Sequence, residues 1–138
     1  MSRRDKVHDA VRFALEKEDW NVTDDPLAVQ VGRKSAQIDI GAERVMGAER
    51  GGEKIAVEIK SFIGTSVLTE FYRALGQFRV YEAALKIQEP DRILYLAVPK
   101  NSYEELYEDV LRYVGFESLQ VRMIIFDLEN ETPLQWIN

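Results

Sequence analysis

The sequence predicts a mixed α/β fold, with one sheet of antiparallel and parallel strands flanked by helices. Three features lead there. Around Gly51-Gly52, two stretches of period-two alternation meet, the pattern of a β-hairpin. Further on, Arg92 to Val98 and Val121 to Phe126 are mostly apolar runs, as expected of strands covered on both faces. Segments with helical spacing separate these runs and can carry the chain back for parallel pairing. Antiparallel strands therefore come first and a crossover portion follows.

At 138 residues the chain reads as one domain, 1–138, long enough to bury a core. Its hydrophobic content of 46% and charged content of 30% are ordinary for a soluble globular protein. No run approaches the about eighteen apolar residues of a membrane span, and MSRRDKVHDA is too polar for a signal sequence, so a cytoplasmic location is expected, with no membrane partner. Cysteine is absent, which excludes disulfides and thiolate metal sites; a metal would need oxygen ligands or the one histidine, His8. The net charge of −6 argues against a broad phosphate-binding surface. A nucleic-acid enzyme of this charge needs a local basic groove or a partner that supplies one.

The elements follow in order. Ser2 caps a first helix ending near Glu18, with Val7, Ala10, Val11 and Ala14 as its apolar stripe. Trp20 to Val22 is a short extended piece before the turn at TDDP, and Leu27 to Val31 alternates as another short strand. Gly32 to Ser35 makes a polar turn into a strand carrying Asp39. After Lys60, Gly64 breaks the strand and Thr65 or Ser66 caps a helix from about Val67 to Ile87, with Leu68, Phe71, Leu75 and Phe78 directed at the sheet. Ala74, Gln77, Tyr81 and Ala84 form the neighbouring stripe. Glu89-Pro90-Asp91 ends that helix. Ser102 and Glu105 read as a capping box for a helix from Tyr103 to Val114, closed by Gly115. Leu134 to Ile137 is placed as an edge strand.

The chemistry concentrates between Ala36 and Lys60. The strand Lys54 to Lys60 alternates strictly, with Ile55, Val57 and Ile59 on one face and Ala56, Glu58 and Lys60 on the other. Asp39 stands between Ile38 and Ile40 on the preceding strand. Pairing the two strands would bring an Asp, a Glu and a Lys together at one end of the sheet. Two carboxylates suit a hard divalent cation such as Mg²⁺, and a lysine beside them can polarise water or steady a phosphate oxygen. A Glu and a Lys two apart on a strand are also a common exposed pair.

Asp39, the triplet Glu58-Ile59-Lys60 and the Gln77…Tyr81 pair on the following helix together resemble the PD-(D/E)xK nuclease superfamily, with its restriction endonuclease-like mixed sheet. The Q-x-x-x-Y helix resembles that of the RecB-like exonuclease branch. HDAV, DPL, GRK, DIGAE, KIAVEIKSF, ALGQF, PDRILYLAVP and LQWI are, as a set, similar to the XisH family, the fdxN-element excision controlling factors of cyanobacteria. The resemblance implies Asp39 and Glu58 as metal ligands, with the Ile59 carbonyl as a third, for Mg²⁺ or Mn²⁺. Lys60 would orient water or stabilise the attacked phosphate, and Gln77 and Tyr81 would steady Lys60 or touch DNA. It further implies DNA and an XisI-like protein as partners. Gln77 and Tyr81 are equally explained by an interior hydrogen bond. His8 is better explained as a helix-flank residue than as a ligand, and Arg33 and Lys34 as a solvated turn. Ile38 stands where the superfamily often has proline, and Glu43 and Glu49 add negative charge to the hairpin.

Three functions fit these residues: a metal-dependent nuclease acting in DNA excision or recombination, an accessory factor that keeps the nuclease fold without cutting, and a protein-binding regulator. A homo-oligomer is expected, with Tyr103, Leu106, Tyr107, Val110 and Tyr113 as the contact face. If Lys60 serves chemistry alone, its removal is expected to leave the fold intact.

Overall fold

The computed structural model describes residues 3–35, 45–62, 66–130 and 134–138. Helix α1 (Arg3–Lys17) precedes strand β1 (Asn21–Asp24) and a small hairpin of β2 (Gln30–Val31) and β3 (Lys34–Ser35). The Gly51-Gly52 hairpin follows as β4 (Val45–Arg50) and β5 (Glu53–Ile59), then helix α2 (Val67–Gln88) and strand β6 (Arg92–Pro99). Helix α3 (Lys100–Leu106) runs on through a π-helical turn (Tyr107–Leu111) into α4 (Arg112–Val114), and α5 (Phe116–Leu119) leads to β7 (Met123–Phe126) and β8 (Gln135–Ile137).

Six strands form one sheet in the order β1-β4-β5-β6-β7-β8. The outer pairs are antiparallel, while β5, β6 and β7 run parallel. This is the mixed sheet that the alternating hairpin and the later apolar runs predict. Gly51 and Gly52 carry φ of 54° and 87°, which lets two residues close the β4–β5 turn.

The period-two pattern of β5 separates two cores. Ile55, Val57 and Ile59 meet Val7, Val11 and Leu15 of α1, together with Tyr95, Ala97 and Ile124. Ala56 faces the other way, among Leu94, Leu96, Val98 and the Phe71, Ala74, Phe78, Tyr81 and Leu85 side of α2. Ser66 accepts from the Thr69 amide at 3.2 Å and so caps α2 as expected. Among the described residues no helix is long and apolar enough to cross a membrane.

Several boundaries differ from expectation. On α1 Leu15 joins the expected Val7 and Val11 as the fully buried stripe, because steps of four keep one face toward the sheet; Ala14 packs at its edge as expected, while Ala10 is only half-buried. Leu68 of α2 is half-buried, and Leu75, also half-buried, packs against the core as expected, while Ala74, Tyr81 and Leu85 join Phe71 and Phe78 at the sheet. Of Leu27 to Val31, only Gln30 and Val31 pair as a strand. Gln88 of α2 takes the place of a strand partner, donating to the Ala28 carbonyl at 2.9 Å and accepting from the Gln30 amide at 2.8 Å. Ser102 lies buried within the first turn of α3 rather than capping it, and the helix starts at Lys100, directly after β6. The Asn101 side chain accepts from the Ser102 amide instead, at 3.0 Å. Val121 is buried but precedes β7, which pairs only from Met123.

Candidate functional site

Glu58 sits where the sheet pattern puts it. It is in register with Val45 on β4 and Leu96 on β6, on the face covered by α2. Its side chain is only 1% exposed, and both carboxylate oxygens are sealed from solvent. One step beyond β5, the Lys60 amide donates to the Ala97 carbonyl at 3.0 Å, which extends the parallel pairing with β6. Lys60 therefore projects to the same face as Glu58, and its Nζ lies 3.5 Å from Glu58 Oε2 with 14% of the side chain exposed. Both charges are largely withdrawn from water.

Helix α2 completes the arrangement. Lys60 Nζ donates to Gln77 Oε1, and Gln77 Nε2 donates to the Tyr81 hydroxyl at 2.6 Å. Gln77 and Tyr81 lie one turn apart, so they share a side of the helix, and Tyr81 is buried against the sheet. The amide of Gln77 is held at both ends. That turns the amide oxygen, not its NH2 group, toward the lysine and limits the directions the ammonium can point. The result is a four-residue polar chain, Glu58–Lys60–Gln77–Tyr81, crossing an otherwise apolar interface at the carboxyl edge of the parallel strands. Carboxyl ends of parallel strands are where open α/β sheets commonly place their ligands.

The other expected residues fall as follows. Asp39 and Glu43 lie outside the described residues. Ile59 is buried on the α1 face, the last residue of β5 and in register with Ala97 on β6. Among the described residues no group of three histidines or carboxylates able to hold a metal comes together. His8 is buried on α1, with Nε2 2.7 Å from Asp25 Oδ1. Arg12 Nη1 donates to the other oxygen of Asp25 at 2.7 Å, and this bond raises the Arg12 pKa above its ordinary value. His8 and Arg12 thus anchor α1 to the loop that follows β1. Glu49 pairs with Lys54 at 3.9 Å near the turn end of the hairpin, far along the strand from Glu58, so its charge is partly offset and remote from the polar chain. Arg33 is exposed at the β2–β3 tip, on a hairpin that Gln30 ties to Gln88 at the far end of α2 from Ser66.

Sequence reasoning missed two features. Phe62, buried just after Lys60 and Ser61, has a φ of 53°, a left-handed conformation that bulky side chains rarely adopt. It turns the chain out of the sheet directly behind the lysine, and no sequence signal marks an aromatic residue for that role. Arg92 is also buried, donating to the Ile55 carbonyl at 2.9 Å and holding Glu89 at 3.1 and 3.2 Å. Its place at the start of a strand gave no hint of this.

These observations first define a class: a mixed-sheet α/β protein in which the first of the parallel strands, β5, ends in a largely buried Glu-x-Lys pair tied to the following helix. The chain belongs to the XisH family, whose family model, described as XisH protein, matches residues 1–134. It is similar to the crystal structure of an XisH family protein from Nostoc punctiforme PCC 73102, at 43% identity and a TM-score of 0.83 over 96% of this chain and 99% of that one. It is equally similar to the structure of a fdxN element excision controlling factor protein from Anabaena variabilis, again 43% identical with a TM-score of 0.83, over 97% of this chain and 99% of that one. No curated protein matches the chain.

Proposed function

We propose that this XisH-family protein acts in the excision of a DNA element by metal-dependent phosphodiester hydrolysis of the PD-(D/E)xK type. The observation that carries this reading is Glu58, a fully buried carboxylate paired with Lys60 on a face otherwise lined by Ala56, Leu94, Leu96 and Val98. A buried ion pair is a poor device for stability, since apolar residues of similar volume serve as well or better. Its presence at the edge where open α/β sheets commonly place their ligands argues for a use in chemistry.

The donor set fits a hard cation. The Glu58 carboxylate, with Asp39 and the Ile59 carbonyl, would offer the oxygen ligands that Mg²⁺ or Mn²⁺ prefers. Once bound, such an ion would act as a Lewis acid on the phosphate. The chain's own residues do the remaining work. Lys60 places an ammonium where negative charge develops as the phosphate is attacked. Gln77, held by Tyr81, keeps that ammonium aimed, so little reorganisation is needed during the reaction. The reading makes the protein a nuclease with DNA as substrate and an XisI-like protein as partner.

The alternative is an accessory factor that keeps the fold and works with the XisI-like partner without cutting DNA. The net charge of −6 favours it. One experiment separates the two: purified protein on branched, nicked and linear DNA with Mg²⁺ or Mn²⁺, with and without that partner. Cleavage by wild type that Glu58→Gln abolishes supports the nuclease. Absence of cleavage on every substrate, with divalent-ion binding identical in wild type and the Asp39→Asn/Glu58→Gln double variant, leaves the accessory role.

A further inference from the structure

Helix α2 buries one side against the sheet and turns a second apolar stripe outward. Tyr72, Gly76, Val80, Ala83 and Ile87 recur at spacings of four, four, three and four, so they share one side of the helix. Tyr72 is 62% exposed, Val80 49% and Ile87 87%, and Ala83 is exposed between them. Gly76 interrupts the stripe, and a Cβ built there would meet nothing within 4 Å. Glycine is the poorest helix former after proline, and among the described residues no close packing explains it at this position. What it offers is a notch on the outer surface, the kind of hole into which a side chain of a second helix packs.

The charges beside the stripe decide what fits it. At about 100° per residue, Arg73 lies about 60° to one side of Gly76, and Arg79 and Lys86 lie about 60° and 80° to the other. All three nearest charges are positive, in a chain whose net charge is −6. The helix's own acidic residues, Glu70 and Glu82, stand about 120° round it, behind the cations, while Glu117 and Arg122, one of each sign, line the hollow beside Arg79 and Lys86. Glu70 and Glu82 pair with Arg73 at 3.7 Å and Arg79 at 3.2 Å, and the Arg79 guanidinium also lies 5.5 Å from the centre of the Phe78 ring, so a partner's carboxylates would draw these two side chains from their present contacts. A second copy of the chain is a poor match. In an antiparallel two-fold pair like flanks face each other, so a register setting Gly76 against Ile87 of the other copy brings Arg79 beside its Lys86, twice.

We propose that the outer side of α2 docks an amphipathic helix of a partner protein, apolar along one stripe and acidic along both flanks. A large apolar side chain of that helix seats on Gly76, Tyr72 and Ile87 close the two ends, and the partner's carboxylates meet Arg73, Arg79 and Lys86. Helix-in-groove recognition takes its affinity from the apolar anchors and its selectivity from such flanking charges. The inner side of α2 carries Gln77 and Tyr81, so the partner would sit one helix away from the Glu58–Lys60 pair without touching it. The inference stands whether or not the protein cleaves DNA.

The test uses synthetic 21-residue peptides built of heptads, with leucine at the two core positions and glutamate at the flanking ones. A control peptide carries lysine at the same flanks. In fluorescence anisotropy against the full chain at low salt, the acidic peptide is expected to bind and the basic one to bind at least tenfold more weakly. Ile87→Asp, and Arg79→Glu combined with Lys86→Glu, should each weaken the acidic peptide at least tenfold. Arg73→Glu/Arg79→Glu/Lys86→Glu should reverse the preference in favour of the basic peptide. Gly76→Gln fills the notch with a good helix former, so it should weaken binding without lowering the melting temperature. Circular dichroism checks that each variant is folded. No binding of the acidic peptide overturns the proposal, as do equal binding of both peptides and binding unchanged by Ile87→Asp. A wild-type dimer in sedimentation that Ile87→Asp dissociates overturns it too, since a like copy would then be the occupant.

Discussion

Replacing Lys60 by methionine removes the cation from a carboxylate that stays buried. Glu58 then has an escape, which is to take up a proton, and this limits the penalty. Holding a carboxyl of ordinary pKa about 4.3 protonated at pH 7 costs about 3.7 kcal/mol, and less by about 1.4 kcal/mol for each pH unit below that. The loss of the Lys60–Gln77 hydrogen bond adds about 1 kcal/mol that does not depend on pH. In the variant the folded-state pKa of Glu58 is raised above its unfolded value. Its contribution is therefore fully present below about pH 4.3 and is lost as pH rises toward 7. Urea denaturation followed by tryptophan fluorescence at pH 5, 6 and 7 should show a gap from wild type that widens from about 2 to about 5 kcal/mol. Adding Glu58→Gln to Lys60→Met should flatten that pH dependence. A gap that is the same at all three values would refute the buried ion pair. Because the pair is buried, loss of Lys60 is expected to lower stability even if the residue also serves chemistry, so an intact fold is no longer the mark of a catalytic lysine. A cleavage assay on Lys60→Ala must be run where circular dichroism shows the variant folded.

Further outcomes follow from the same packing. Glu18 accepts from the Leu134 amide at 3.0 Å and the Trp136 indole at 3.1 Å, so Glu18→Ala should loosen β8, cost about 2 kcal/mol and red-shift tryptophan emission. Phe78 is fully buried between α2 and the sheet, and Phe78→Ala should cost about 3–5 kcal/mol in denaturant unfolding. Burial raises the Tyr95 pKa above its ordinary value, so its contribution is present below about pH 10 and is lost as pH climbs through the raised value. Tyr95→Phe should flatten that alkaline loss of stability while giving up the hydrogen bond to Asn138 at 2.6 Å.

Much of the fold was legible because strand and helix periods are written locally. Ile55, Val57 and Ile59 against Ala56, Glu58 and Lys60 set both faces of β5 before any partner was known. The turn at Gly51-Gly52 needed only residues that accept positive φ. Boundaries failed where a distant side chain replaced a local rule. The extended Leu27–Val31 segment is held by Gln88, about sixty residues away, and alternation in its own residues cannot reveal that. Helix α3 begins at Lys100 because β6 delivers the chain there, which overrides the Ser102 capping pattern. The expected contact face on α3 is narrower than its aromatic content suggested. Leu106 is buried, Tyr103 packs against the core, and Tyr107 and Tyr113 remain exposed.

By itself the sequence determined the mixed sheet, the crossover order, the family, and the placement of Glu58 and Lys60 on one side of one strand. Those properties depend on residue type and spacing along the chain, which any reader of periods can recover. Only the tertiary structure decided that Gln77 and Tyr81 meet Lys60, that Glu58 loses all contact with water, and that His8 binds Asp25. It also decided which side of α2 is left outward. Each is a matter of what lies across a gap of many residues, set by how α1 and α2 seat on opposite faces of a twisted sheet. Burial and hydrogen-bond partnership depend on that seating, because the solvent a side chain loses is displaced by residues far away in the sequence.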